Sequence, residues 1–482
     1  MLLPYRVLRW LFFTILFVVS LFEIAHELIY DGDIASAGFI RSLFMTTPYE
    51  AEGAVGRIVK QHLIFIFCLL LSYICVSVLI FTTYPQQRIY VTSIVFSAVV
   101  LIIISGLSDV VMIGGGACKS ILYNPPINVY MQIAEAFRQS RQRDYETAKS
   151  IERNCDDQII EHQYKKQIVL LVIDESLCYD RLSINNFYER ATTPRLERIM
   201  KDGQLVSFSN YYASGVFTMY SVPMLITQAT AQNFECNYST PAIQEFFRCH
   251  GYESFWISNE AQIINDGESD YLARGAQIIN VQRDIDMPRV VDSICGLYEK
   301  VFSVLHLWGS HQFYMNTMSS TSRYFPDVTT SDCVRGNVIY ENSYDNTILY
   351  TDSLLASLIE MLDKQRCLTT ILFTSDHGEG PITLTGGAHG YTNPHTSEYH
   401  VPLMVWYSDE YKNAYPQKVA NVKKHKDEPV CADHVFWSVL DMADIQIDST
   451  LQQKGMSIFG DTLLPHQRTL LLPDGRSRVT LD

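Results

Sequence analysis

Two short apolar runs, each ending in side chains that bind metals, constrain this chain more than any other feature. Ile168-Val169-Leu170-Leu171-Val172-Ile173 leads into Asp174-Glu175-Ser176, and Thr369-Thr370-Ile371-Leu372-Phe373-Thr374 leads into Ser375-Asp376-His377-Gly378-Glu379. Continuous apolar runs of this length are the pattern of strands buried on both faces of a parallel sheet. In open α/β sheets the ligand site lies at the carboxyl ends of the strands, so two such endings can converge on one site. Glu175, Asp376 and His377 together offer carboxylate oxygens and an imidazole, a set that suits zinc or manganese. Either string alone is equally well explained as an ordinary loop. Further ligand-type residues weigh against coincidence: His306 and His311 follow another apolar run at 301–305, and His389 sits in Gly386-Gly387-Ala388-His389-Gly390.

An ion held this way polarises a phosphoryl oxygen and lowers the pKa of a coordinated hydroxyl. The candidate hydroxyl is Thr218, ahead of Ser221-Val222-Pro223. It is placed to open a helix whose amino-terminal amides favour an anionic phosphate. By itself this stretch is more readily a helix cap than a nucleophile.

The amino-terminal third has a different character. No Asp, Glu, Lys or Arg occurs in residues 61–87 or 89–108, and Arg88 alone separates them. Both stretches reach the roughly 20 apolar residues that span a bilayer. With the apolar segment after Arg6 and Arg9 they give three expected spans, at about residues 8–28, 62–84 and 89–112. Ala35-Ser36-Ala37 offers a signal-peptide cleavage site after the first. The polar residues Glu23, His26, Glu27, Asp31 and Asp33 stand between it and the apolar core, which favours a retained helix. Arg6, Arg9 and Arg88 mark the cytoplasmic side, which puts the large carboxyl-terminal portion outside. Residues 126–151, with Ile133, Phe137, Arg138 and Arg141, fit an amphipathic helix that lies on headgroups, or equally one that packs on the domain. The expected division is a membrane part at 1–113, an interfacial linker helix at 114–165 and a soluble α/β domain at 166–482.

A net charge of −15 lacks the basic footprint of a nucleic-acid binder. Of eleven cysteines, Cys68 and Cys75 fall in the second span. The other nine would face a compartment that permits disulfides, and an odd number leaves at least one free or paired with another chain.

In order and spacing these motifs resemble the bacterial phosphoethanolamine transferases of the alkaline phosphatase and sulfatase superfamily. Glu175-Ser176 with Arg190-Ala191-Thr192-Thr193-Pro194-Arg195-Leu196 is similar to the family signature, and Thr218 five residues before Pro223 to its nucleophile motif. His306 and His311 match its paired histidines, Tyr344-Asp345-Asn346 with Tyr350-Thr351-Asp352 its YDNxxxYTD helix, and Asp376-His377-Gly378-Glu379 its metal motif. His389 matches its late active-site histidine. Ser42, Thr46 and Glu50 sit where the family has an Asn-Thr-Glu trio near the bound lipid.

The resemblance implies a membrane-anchored sulfatase-like α/β/α fold in the bacterial inner membrane, with the catalytic domain in the periplasm. It implies ping-pong transfer of phosphoethanolamine from phosphatidylethanolamine to a lipopolysaccharide acceptor, lipid A or core sugar, through a phosphothreonine at Thr218. Glu175, Thr218, Asp376 and His377 would hold one zinc. His306, His311 and His389 would place phosphate, protonate a leaving oxygen or recruit a second zinc. This chain departs from the family at Ser214 and Met224, where lipid A-modifying members carry cysteines, and at Asp174, where Gly is usual. Trp256-Ile257-Ser258-Asn259 is closer to the branch acting on core sugars. A sulfatase activity would need x-Pro-x-Arg after Ser221, and Leu225 stands where the Arg belongs. A glycerophosphate transferase of the lipoteichoic acid synthase type and a catalytically inactive membrane sensor of the same fold are the remaining alternatives.

Overall fold

The computed structural model describes residues 165–482 apart from 186–187, 239, 260–271, 312–313, 315–324, 326–335, 383–387, 447–454 and 482. In the amino-terminal third it describes residues 6–15, 17–18, 21, 40, 63, 66–78, 81–82 and 132–138. The chain forms two compact units, Met1–Gln142 and Arg143–Asp482.

In the second unit eleven strands form in chain order: β1 (Gln167–Asp174), β2 (Leu205–Ser207), β3 (Tyr211–Tyr212), β4 (Glu253–Ser258), β5 (Gln277–Asn280), β6 (Lys300–His306), β7 (Leu368–Ser375), β8 (Leu403–Tyr407), β9 (Val430–Cys431), β10 (Thr469–Leu471) and β11 (Arg478–Thr480). Seven of them make one sheet in the order β2-β8-β7-β1-β6-β4-β5. The pairs β7–β1, β1–β6, β6–β4 and β4–β5 are parallel, whereas β8 runs antiparallel to both β7 and β2. The two apolar runs singled out in the sequence are thus neighbouring central strands, buried over all eight residues each.

Helices cover both faces. We number those of this unit α1 (Pro194–Lys201), α2 (Thr218–Ile226), α3 (Ile243–Cys249), α4 (Met287–Leu297), α5 (Gly336–Asp363), α6 (Thr396–Tyr399), α7 (Asp409–Ala414), α8 (Pro416–His425) and α9 (Asp433–Met442). Successive strand side chains point to opposite faces. Val169, Leu171 and Ile173 accordingly pack with Ile226, Phe247, Phe436 and Leu440, while Ile168, Leu170 and Val172 pack with Ile294, Tyr344 and Leu358. Each such aliphatic side chain, once fully buried, contributes about 1.5–3 kcal/mol of transfer free energy.

Two of the motifs bind each other, and only Tyr344 of the second reaches the site, donating to the Ser176 carbonyl at 2.6 Å. Asp352 of α5 accepts hydrogen bonds from the Arg195 and Leu196 N–H groups at 3.1 and 2.8 Å, satisfying the first turn of α1, which Pro194 opens. Asp345, fully buried, receives Arg181 at 3.1 Å, Arg190 at 2.6 Å and the Tyr188 hydroxyl at 2.7 Å. The polar residues at 190–196 and 345–352 are therefore a structural clasp under the sheet edge.

In the first unit, described residues 6–15 and 66–78 are helical. Phe13 stacks on Tyr73 at 5.5 Å, and the Thr14 and Tyr73 hydroxyls meet at 3.0 Å. Leu8, Leu11, Ile15, Phe67, Leu70, Leu71, Ile74 and Val78 are exposed on the same segments. No helix among the described residues is long and apolar enough to cross a membrane. The expected spans at 8–28 and 62–84 lie partly outside the described residues, and that at 89–112 wholly so. Residues 132–138 of the expected linker are helical.

Candidate metal centre

Strand register sets the site. Ile173 of β1 pairs with His306 of β6, and Asp174 pairs with Ser375 of β7, so the three central strands end level with one another. The next residues, Glu175 and Asp376, emerge side by side. Ser176 follows with a positive φ of 58°, a conformation that costs a non-glycine residue free energy and that clusters at functional sites. Its hydroxyl donates to Glu175 Oε1 at 2.8 Å, and its N–H to Asp376 Oδ1 at 3.3 Å, so the turn aims both carboxylates.

Thr218 is the first residue of α2, as the sequence predicts. Its hydroxyl donates to Glu175 Oε2 at 3.0 Å and lies 3.4 Å from His377 Nε2. His377 Nε2 is also 3.3 Å from Glu175 Oε1 and 3.4 Å from Asp376 Oδ2. Its other nitrogen, Nδ1, stands 2.8 Å from the Gly378 carbonyl oxygen. A carbonyl only accepts, so Nδ1 carries the proton in that contact, and the neutral ring presents the Nε2 lone pair to the cluster. All four expected ligands therefore meet at one point.

The electrostatics of this cluster fit a cation. Glu175, Asp376 and His377 are buried, and Asp376 Oδ2 has no hydrogen-bond partner there. Burial opposes ionisation of Glu175, but His377 beside it outweighs that and holds the carboxyl well below its ordinary value. Burial and then the ionised Glu175 push Asp376 up to about 8. Burial disfavours the His377 imidazolium, but Asp376 and Glu175 overcome it and raise the ring to about 10. Without a cation the cluster has to retain protons among its members; a divalent ion removes that need. Glu175, His377 and His389 place ligand atoms within 4.8 Å of one another, which brings His389 into ligand range as well. The residues present fit zinc.

The other histidines border this cluster. His389 is partly exposed, its ring centroid 4.1 Å from that of His377. Its Nδ1 is 3.4 Å from Glu379 Oε1, while Glu379 Oε2 accepts from the Tyr314 hydroxyl at 2.7 Å. Burial, and then His377, lower the His389 pKa. His306 is fully buried at the end of β6, and burial lowers it to about 4 despite the attraction of Glu175, so it is neutral. His311 is partly exposed and contributes to holding Glu175 ionised.

Several further residues shape the surround. Gly390, with φ +84°, presses against Phe217; a Cβ there would lie 2.2 Å from the Phe217 ring, next to Thr218. Glu398 is buried and accepts from the N–H groups of Gly390, Tyr391 and His395 at 2.7, 3.2 and 2.6 Å, while its carbonyl accepts from Gly378 at 2.7 Å. It fixes the His389 loop to the His377 turn. Gly309, with φ +50°, sits under Asp174: an added Cβ would meet Asp174 Oδ1 at 1.7 Å. Asp174 thus fills the space that the Gly309 turn leaves. Glu379 was visible in the Asp376-His377-Gly378-Glu379 string; Tyr314 and Glu398 stand in no recognisable pattern. Ser42, Thr46 and Glu50 lie outside the described residues.

Residues 167–445 match the sulfatase family. The chain is 27% identical over 271 residues to phosphoethanolamine transferase EptC of Escherichia coli (strain K12), covering 52% of this chain and 46% of EptC. It is 26% identical over 288 residues to the Kdo(2)-lipid A phosphoethanolamine 7''-transferase of the same strain, covering 55% and 49%. The chain spans about half the length of the curated relatives it matches. Among solved structures, the periplasmic domain of Escherichia coli EptC in complex with zinc aligns with a TM-score of 0.60 and 22% identity, over 67% of this chain and 94% of that one. The integral membrane EptA of Neisseria meningitidis aligns with a TM-score of 0.69 and 19% identity, over 94% and 86%. At these identities the structures speak for the fold alone, a sulfatase-like α/β domain. The family match takes in more than half of the chain, and the chain belongs to the sulfatase family.

Proposed function

We propose that this protein transfers phosphoethanolamine from phosphatidylethanolamine to a lipopolysaccharide acceptor, through a phosphothreonine at Thr218. The observation that carries the reading is the Thr218 hydroxyl at the start of α2, 3.0 Å from Glu175 and 3.4 Å from His377. The names of the relatives support phosphoethanolamine as the transferred group, and one of them supports a Kdo(2)-lipid A acceptor. Leu225, in place of the Arg that formylglycine formation needs, speaks against sulfate-ester hydrolysis despite the family name.

Glu175, Thr218, Asp376 and His377 would hold zinc, which supplies Lewis-acid polarisation and a lowered hydroxyl pKa when bound. In the first half-reaction Thr218 Oγ forms a bond to phosphorus, and the phosphorus–oxygen bond to diacylglycerol breaks. The Thr218 proton, shared at the outset with Glu175, ends on the diacylglycerol oxygen. In the second, an acceptor oxygen forms a bond to phosphorus, the phosphorus–Oγ bond of Thr218 breaks, and the proton the acceptor loses returns to Thr218 Oγ. The amino-terminal amides of α2 face the phosphoryl charge. His311 and His389, both partly exposed beside the ligand cluster, bind phosphoryl oxygens and hand the proton to the leaving oxygen. His306, neutral and buried, supports the end of β6.

Both partners are lipids, so the reading needs an anchor. We place residues 1–113 in the bacterial inner membrane as about three spans, 114–165 at the interface and 166–482 in the periplasm. The exposed Leu, Ile, Val and Phe side chains of 6–15 and 66–78, with the hydroxyls of Thr14 and Tyr73 turned to each other, support lipid contact there. Ser42, Thr46 and Glu50, at i, i+4 and i+8, would share one helix face near the donor headgroup.

Mass spectrometry of lipopolysaccharide from cells with and without the gene tests this reading. It predicts a phosphoethanolamine increment that appears only with the gene; identical lipid profiles would refute it.

A further inference from the structure

We propose that Cys431, Asp433 and His466 form a second zinc site, which braces the loop leading to Thr218. Their ligand atoms lie within 4.8 Å of one another, Cys431 and Asp433 buried and His466 partly exposed. His466 Nε2 is already 2.7 Å from Asp433 Oδ2. His434 borders the cluster: its Nδ1 is 3.6 Å from Cys431 Sγ and 3.2 Å from the Cys431 backbone N and O, and its ring centroid is 5.4 Å from that of His466. His434 Nε2 is buried with no hydrogen-bond partner.

A thiolate, an imidazole and a carboxylate are a zinc donor set. Tetrahedral zinc with bonds of about 2.0–2.3 Å holds its ligand atoms roughly 3.3–3.8 Å apart, so the cluster has to close by only about 1 Å. A His–Asp hydrogen bond beside a buried thiol is a self-sufficient arrangement, and it is the plain alternative. What it leaves unexplained is a second imidazole with an unpartnered buried nitrogen. Burial, then the Asp433 charge, push the Cys431 thiol well up, while Arg468 works in the other direction. Coordination turns that unfavourable thiolate into a ligand. The partly exposed His466 gives the ion a way in.

The position explains what such a site would do. β9, which ends at Cys431, pairs with β3, and Ser214 follows β3 by two residues. The Ser214 hydroxyl donates to Asp433 Oδ1 at 3.2 Å, and its carbonyl accepts from the Leu471 N–H at 2.8 Å. One ion would therefore join the start of α9 to the segment leading into β10; Ser214, four residues ahead of Thr218, is already bonded to Asp433 of α9 and to Leu471 of β10. This inference is independent of the transferase reading.

The set around Glu175 contains no sulfur, so a thiolate-to-cobalt charge-transfer absorption distinguishes the second cluster from the first, and its loss in Cys431→Ser assigns it to Cys431. The full chain in detergent is stripped with chelator and loaded with Co²⁺ alone. The band is expected in the wild type and in Glu175→Ala, lost in Cys431→Ser and weakened in His466→Gln. Elemental analysis after zinc loading is expected to give one equivalent fewer in Cys431→Ser and in His466→Gln than in the wild type. His466→Gln changes a partly exposed side chain and serves where Cys431→Ser does not fold. A wild type without the band, a band that persists in Cys431→Ser, or unchanged zinc in His466→Gln would overturn the proposal.

Discussion

Thr218 and Glu175 are 43 residues apart in the chain, yet the threonine hydroxyl donates to the Glu175 carboxylate at 3.0 Å. The contact joins the first residue of a helix to the first residue beyond a central strand, and His377, which follows the neighbouring strand, closes the group at 3.4 Å from the same hydroxyl. An aliphatic environment would not hold these polar groups together without a compensating charge.

Metal content follows from that grouping. The purified wild type should bind at least one zinc per chain, and Glu175→Ala or His377→Ala should lower it, since each removes a ligand of the Glu175 cluster. Elemental analysis after dialysis reads this out; wild-type zinc in both variants would remove these residues from the ligand set.

Asp345→Ala should destabilise the carboxyl-terminal unit without touching the metal. It strips Arg181 and Arg190 of a fully buried partner, and Tyr188 of its acceptor. Breaking a buried pair costs about 3–5 kcal/mol, and the partial exposure of both arginines reduces this to about 2–3 kcal/mol. Chemical denaturation measures the difference, and an unchanged midpoint would contradict the clasp.

His306 gives a pH dependence of definite sign. Its folded pKa is lowered to about 4 by burial, below an ordinary value near 6.5. Between those values the unfolded chain binds a proton that the folded chain refuses, so stability falls as pH drops from about 6.5 to about 4, by up to about 1.4 kcal/mol per pH unit. Above that window the His306 contribution is constant. In chelator-treated protein, His306→Gln should flatten this part of the stability curve; identical slopes in wild type and variant would show that His306 titrates normally.

Much of this was readable from sequence for a physical reason. A doubly buried strand leaves a continuous apolar run, and a ligand at its carboxyl end leaves a charge directly after it, so β1 with Glu175 and β7 with Asp376 and His377 stand out. Thr218 opening a helix was likewise marked by the residues around it. Arg190 and Asp345, by contrast, lie in motifs that resemble a site but serve to clasp α5, since a buried ion pair and a catalytic charge look alike in one dimension. Glu398 and Tyr314 act through contacts between segments remote in sequence, and no local pattern records those. The Cys431, Asp433 and His466 cluster was hidden because its members are brought together by tertiary packing across 33 residues between the two that bond each other.

The topology expected from Arg6, Arg9 and Arg88 has its own test. A reporter active only outside the cytoplasm should work when fused after Ser120 and stay silent when fused near Pro85. Silence after Ser120 would contradict the proposed placement of the carboxyl-terminal unit outside, and activity near Pro85 would contradict a cytoplasmic Arg88.

The central claim is that Thr218 carries the transferred group. Protein incubated with phosphatidylethanolamine and no acceptor, then digested and analysed by mass spectrometry, should show a phosphoethanolamine adduct on the peptide containing Thr218. The adduct and the transfer activity should both disappear in Thr218→Ala, while its zinc-free unfolding midpoint stays close to that of the wild type. Near-normal turnover by Thr218→Ala, or an adduct on another residue, would contradict the account.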